Sequence, residues 1–316
     1  MTLPSRLAGR LSLPLIAAPM TGVSGPELVI AAGRAGVIGS FPTHNAATVD
    51  ELDAWLARIN AALRDEPAPF APNLVVHKTN GRLAEDVAVL IERGVELVIA
   101  SVGRPDPVIE PLQAAGCLVF ADVASLRHVD RALEAGVDGL VLLTAGAGGQ
   151  TGNLNPFAFV RAVRDRYDGP IVLAGGVSDG AALAAAEVLG ADLAYMGTGF
   201  IATAESSAAP DYRDALVAAS LDDVVTATLA QGLPTNFLAS WPEWRDARAA
   251  VEKVAPSVGF DFATLLGQRN LWGAGHSVSG VRGIQHVHDL VAHIAEQYHA
   301  ARARTGAEPL RRGGVT

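Results

Sequence analysis

The sequence predicts an α/β chain folded as a (β/α)8 TIM barrel with a C-terminal helical extension. Three observations carry this. Short, continuously apolar runs alternate with Ala/Leu-rich helical patterns, and such alternation implies parallel strands joined by helical crossovers. The apolar runs lack the polar alternation of one-sided strands, so both of their faces are buried. Eight of them fit into about 200 residues, the length of a closed barrel rather than of two domains. An open doubly wound sheet is the alternative, but the first βα turn, "APMTGVSG", lacks the GxGxxG spacing of a dinucleotide site.

In chain order the predicted strands are "LPLIAAP" (13–19), "VIGSF" (37–41), "FAPNLVVH" (70–77), "LVIASV" (97–102), "LVFADVA" (118–124), "GLVLLTA" (139–145), "PIVLAGGV" (170–177) and "LAYMGTGF" (193–200). Helical patterns such as "RLAEDVAVLIERG", "SLRHVDRALEAG" and "DGAALAAAEVLG" lie between them. Gly36, Gly94, Gly116, Gly136, Gly169 and Gly190 close the helices, as a left-handed cap requires. Residues 1–200 are thus assigned to the barrel. Residues 201–316 are assigned to a helical extension packed on it, from "DYRDALVAAS", "DDVVTATLAQG" and "HVHDLVAHIAEQYHAARAR". The Trp/Pro segment "FLASWPEWRDA" places Trp241 and Trp244 as packing anchors or as part of a substrate mouth. From about residue 305 the chain reads as a frayed tail.

Half of the 316 residues are hydrophobic and only 18% are charged, enough to bury a large core. The net charge of −9 argues against nucleic acid or an anionic membrane as partner. It leaves a small anionic ligand open, since backbone N–H groups can hold one locally. The lone cysteine, Cys117, sits in an apolar run and reads as a buried thiol. His286 and His288 are two apart on a helical pattern and point to different sides, so no metal site is expected there. No run reaches the ~20 apolar residues of a membrane span, and Pro14 breaks the run that resembles a signal peptide. A cytoplasmic protein is expected; a homo-oligomer is compatible with the sequence.

Barrel chemistry lives on the loops after the strand C-termini. The first strand ends in Pro19, which fixes the backbone, and Met20, a soft surface for a flat ring or plain core packing. The third carries Asn73 inside an apolar run, where an amide needs a partner. His77 follows as a candidate for proton transfer, and Lys78 as a Schiff-base candidate for aldol chemistry. Asp122 ends the fifth strand, either in the mouth or as a cap for "SLRHV". The seventh and eighth strands end in "AGGVSDG" and "YMGTGF", where Gly175, Gly176, Gly197 and Thr198 form a phosphate-binding pair of loops. The sixth ends in "AGAGGQTG", where Gly146, Gly148 and Gly149 clear room for something wide and flat. A ring plus a phosphate points to flavin mononucleotide.

"LPLIAAPMTGVSGPELVIAAGRAGVIGSF", "APNLVVH", "AGAGGQTG", "VLAGGVSDG" and "YMGTGFIATAES" resemble, in order and spacing, the nitronate monooxygenase (2-nitropropane dioxygenase) family over roughly residues 10–210, with an echo in "NLWGAGHSVSGV". The resemblance implies an FMN-dependent oxidoreductase on a barrel. It implies flavin contacts from Ala18, Pro19, Met20 and Asn73, with Asp122 at the flavin edge and Gly149 against the ring. It implies a phosphate site of Gly175, Gly176, Val177, Met196, Gly197 and Thr198.

One position departs. Many members carry "GGH" where this chain has "GGQ". Gln150 can donate and accept hydrogen bonds but cannot take a proton. Proton abstraction from a neutral nitroalkane should therefore be poor unless His77 or His276 substitutes. An already ionised nitronate needs no base, and Gln150 can orient it. The expected activity is oxidation of alkyl nitronates with oxygen. One alternative is NAD(P)H-driven reduction of quinones, activated alkenes or enoyl thioesters. Another is a flavin-binding protein that has lost catalysis.

Overall fold

The computed structural model describes residues 3–4, 6–228, 232–244, 260–267 and 270–305. All eight apolar runs are strands, and they close on themselves. They are β1 (Leu15–Ala17), β2 (Ile38–Pro42), β3 (Phe70–Val75), β4 (Leu97–Ser101), β5 (Leu118–Val123), β6 (Gly139–Leu143), β8 (Ile171–Ala174) and β9 (Leu193–Met196). Their order around the barrel is β1-β2-β3-β4-β5-β6-β8-β9, every pair parallel. The chain is an α/β protein with a (β/α)8 TIM barrel.

The period-2 alternation of a strand sorts side chains into two cores. Leu118 and Phe120 of β5 point into the barrel with Ile16, Ile38, Ala71, Ile99, Val141 and Val172. Val119, Ala121 and Val123 point outward to the helices. The outer helices are α1 (Pro26–Arg34), α2 (Val49–Ala62), α3 (Leu83–Glu92), α4 (Asp106–Ala114), α5 (Leu126–Ala135), α6 (Pro156–Arg164) and α7 (Gly180–Leu189). Their starts are set by local chemistry. Thr48, Ser125, Asn155 and Asp179 each accept a hydrogen bond from an orphan N–H of the first turn. Of the six closing glycines, Gly36, Gly94, Gly116, Gly136 and Gly190 are left-handed. Gly169 is not; a Cβ there would stand 2.1 Å from the Tyr167 hydroxyl, so close approach requires it.

After β9 come a single turn, α8 (Thr198–Ile201), and α9 (Pro210–Ala218). The "DDVVTATLAQG" stretch expected to be helical instead contains a strand, β10 (Val224–Thr228). Its β-branched Val224, Val225, Thr226 and Thr228 suit a pleated surface, and it pairs antiparallel with β11 (Pro234–Leu238). The short α10 (Phe262–Leu266) follows. The long helix α11 (Val287–Thr305) then returns to the barrel wall and packs on α7 and α1. There Gly180 has no side chain to collide with the Ile294 carbonyl, 2.1 Å from where a Cβ would stand. The expected frayed tail, residues 306–316, lies outside the described residues. Trp241 and Trp244 flank Phe237 at ring-centroid distances of 5.7 and 4.6 Å, in a small core of their own. Among the described residues no helix is long and apolar enough to cross a membrane.

Candidate active site

A cavity of about 220 Å³ opens at the C-terminal ends of the barrel strands. The inward register that fills the barrel with Ile99 and Phe120 continues one step further to Ser101 and Asp122, and from Ala71 to Asn73. The floor of the cavity is thus the last inward layer of the strands, where side chains turn polar. Asn73 finds its partners there: its Nδ2 donates to the Ile99 carbonyl at 3.2 Å and its Oδ1 accepts from Ser101 Oγ at 3.1 Å. Asp122 is not a helix cap; Ser125 caps α5. The carboxyl faces the cavity instead, and burial pushes it up to about 7. Tyr195, the inward residue of β9, also faces the cavity, and burial, with Asp122 nearby, raises its phenol well above the usual range. Asp122 Oδ1 and the Tyr195 hydroxyl are buried and have no hydrogen-bond partner among the described residues.

The stripped loop has two explanations. Gly148 lies against Gly275: a Cβ on Gly148 would stand 2.7 Å from the Gly275 nitrogen, and one on Gly146 would stand 2.8 Å from His276 Nδ1. These glycines let the loop dock on the 272–276 segment while still lining the cavity. Gly149 differs, with φ +64° and open space where a side chain would be. With Gln150 it forms the two-residue strand β7 (Gly149–Gln150), which pairs with Thr235 and Asn236 of β11. Asn236 Nδ2 adds a bond to the Ala147 carbonyl at 2.8 Å. The hairpin that sequence reading missed therefore holds Gln150 at the cavity wall.

Gly176, at φ +74°, also faces open space, while Gly175, at φ +122°, leaves no room for a side chain beside Thr144 Oγ1. Thr198 Oγ1 accepts from the Gly275 N–H at 3.0 Å, so its own proton remains available to donate. Ala18, Pro19, Met20, Val177 and Gly197 line the same cavity. Met196 does not: its side chain packs in the outer core, because its register is outward. His77 does not either. Its Nδ1 bonds Thr79 Oγ1 at 2.9 Å, and its ring stands edge-on behind Phe260, which lines the cavity. Lys78 is exposed and outside the lining, which removes the aldolase geometry. His276 is exposed and also outside the lining. His286 lies with Glu205, 3.2 Å away.

Two residues escaped sequence reading. His44 lines the cavity just after β2, buried, with Nε2 3.0 Å from Thr21 Oγ1. Val102, after β4, holds φ +53° at the cavity wall, a strained conformation for a β-branched residue. The inward register of β4 leads straight to Val102's neighbour Ser101, but nothing in the sequence marks the strain.

Fold comparison agrees with this architecture. The chain superposes on the structure of FabK from Thermotoga maritima with a TM-score of 0.81 at 24% identity, over 96% of this chain and 99% of that one. A nitronate monooxygenase of Paraburkholderia phytofirmans is 29% identical over 78% of this chain and 80% of its own length. A 5-hydroxy-7a-methyl-1-oxo-octahydro-1H-indene-4-carboxyl-CoA dehydrogenase of Mycobacterium tuberculosis is 28% identical over 71% of this chain, but the match spans only 62% of that protein. The family described as nitronate monooxygenase matches residues 71–296, well over half of the sequence, and on that evidence the chain belongs to the nitronate monooxygenase family.

Proposed function

We propose that the chain is an FMN-dependent oxidoreductase that oxidises small alkyl nitronates with oxygen. The observation that carries this is the mouth itself. Gly149 and Gly176 leave open space at left-handed backbone positions beyond the ends of the neighbouring strands β6 and β8, on the wall of one cavity, while two buried polar atoms on its floor lack partners among the described residues. A flat ring with polar edges and a phosphate tail fits this combination. Backbone N–H groups around Gly175, Gly176, Gly197 and Thr198 would hold the phosphate, and Met20 and Ala18 would face the ring. The bound flavin would supply the electron-accepting ring.

The chain's own residues do the rest. Gln150, pinned by β11, offers its amide N–H groups to the nitronate oxygens without a proton to exchange. Leu233, Leu265 and Leu271 line the same cavity and keep water from the substrate carbon.

A second reading is an NAD(P)H-driven reductase of quinones or enoyl thioesters. It is favoured by the amide at position 150, which suits binding a carbonyl, and by the CoA-thioester name of one relative. The test is anaerobic absorbance of the flavin-loaded protein. Bleaching by a preformed nitronate, followed by oxygen uptake and nitrite release in air, is the expected result. Bleaching by NADPH alone would make the reductase the correct reading.

A further inference from the structure

We propose that Asp122 meets the bound ring as a neutral carboxylic acid, coupled to the Tyr195 hydroxyl, and that its protonation sets how tightly flavin is held. This rests on the flavin reading above. Asp122 follows Phe120 in the inward register of β5, so its carboxyl stands on the cavity floor rather than at the rim. Tyr195, 8% exposed, reaches the same floor from β9. Each carries a buried oxygen without a protein partner among the described residues. A buried polar group left unpaired is costly, and two on one surface mark the place where a ligand completes the bonding.

The charges around Asp122 decide its form. Facing it across the floor are Asn73 and Ser101 from β3 and β4, Leu143 and Ala174 from β6 and β8, and Ala18 and Pro42 by β1 and β2. Besides His44, the titratable groups that share the lining with Asp122 are Tyr195 and Tyr212, and burial keeps both phenols neutral. On the outer side, His128 of α5 accepts the Ala124 N–H at 3.4 Å. His44 is the one imidazole in the described lining, engaged with Thr21 on the β2 side, and that lining holds no lysine or arginine. An ionised Asp122 would be a buried charge without a counter-ion, so the carboxyl titrates near neutrality, at about 7.

The chemistry of the ligand supplies the second half. The pyrimidine edge of a flavin alternates carbonyl acceptors with an N–H donor. A neutral acid offers one donor and one acceptor, whereas a carboxylate offers acceptors only and repels the carbonyls. Ligand burial also displaces the water that could stabilise the charge. Binding therefore favours the protonated form, and affinity falls as pH rises past the titration of Asp122.

The test is FMN titration of the flavin-stripped protein, followed by quenching of flavin fluorescence, between about pH 6 and pH 8.5. The wild-type Kd should rise by about tenfold per pH unit at most above the carboxyl's titration. Asp122→Asn, which keeps a donor and an acceptor and cannot ionise, should lack this component. The ratio of the two constants cancels the titration of the phosphate itself. Asp122→Ala and Tyr195→Phe should bind several-fold more weakly at pH 6, with folding checked by circular dichroism. Parallel wild-type and Asp122→Asn profiles would overturn the proposal, as would wild-type affinity in Asp122→Ala at every pH. Either result leaves the flavin reading standing. A wild-type protein that binds no FMN at any pH would overturn both.

Discussion

The two ends of the barrel are built from the same strands and treat polar groups in opposite ways. At the N-terminal end, polar side chains just before the strands are paired. Asp138 accepts from the Val119 N–H at 2.8 Å and from Gln113 at 3.0 Å, and its carbonyl accepts from the Tyr167 hydroxyl at 3.0 Å. Asp192, 2% exposed, takes Arg164 at 2.6 Å and the Ile171 N–H at 3.0 Å. At the C-terminal end Asn73 and Ser101 are paired, but Asp122 and Tyr195 leave buried oxygens without a partner among the described residues, and Val102 is strained. The bottom spends its polar groups on stability. The top holds them in reserve for a ligand, as expected where a scaffold carries its chemistry.

The contrast can be sharpened at Gln150. Gln150→His restores a group that can take a proton at the cavity wall. Turnover of neutral nitroalkanes should rise by ~10²–10⁴-fold, the usual worth of a general base, while turnover of preformed nitronates changes little. Steady-state rates on the two substrate forms check this. Equal rises on both would mean that residue 150 acts by binding alone.

Breaking the bottom should cost stability without touching the site. Asp192→Ala leaves Arg164 without its buried carboxylate, a loss of about 3–5 kcal/mol, read by chemical denaturation. Flavin affinity of the folded fraction should stay at the wild-type value. Filling the top should do the reverse. Gly176→Asn places a side chain that tolerates the left-handed backbone at φ +74° in the open space of the mouth, and FMN affinity should fall on the order of 100-fold, or about 2.7 kcal/mol. Its circular dichroism should remain native.

The smallest effect concerns pH. Burial raises Asp122 to about 7, so the neutral acid is favoured in the folded state. Its contribution is intact below the unfolded carboxyl's titration near 4 and is lost as pH rises to about 7. Asp122→Asn should therefore match the wild type in melting temperature at low pH and exceed it by a few degrees at pH 8. Thermal scans of the flavin-stripped proteins check the sign. A wild-type advantage at pH 8 would mean that the carboxylate has a partner.

Much of this was legible in the sequence, because local signals agreed with the tertiary result. Eight apolar runs, seven of them followed by a full helix, specify the barrel, and strand-end reading placed Asp122, Gln150 and the Gly175–Gly176 turn where the cavity opens. What was not legible depends on long-range contact. β10 reads as a helix from sequence because its pairing partner β11 gives no separate signal, and without that pairing the anchoring of Gln150 is invisible. Gly146 and Gly148 line the mouth as read, but their close packing against Gly275 and His276 is visible only in the fold. Met196 rests on the resemblance and His77 on its place at a strand end, and one residue of register and one intervening ring, Phe260, keep their side chains out of the lining.

The most direct test of a mouth built for flavin is a calorimetric titration of the stripped protein with FMN near pH 6.5, alongside riboflavin. Saturable one-to-one binding of FMN, weakened for riboflavin by loss of the phosphate, is the predicted result. No saturable heat from either ligand would contradict it.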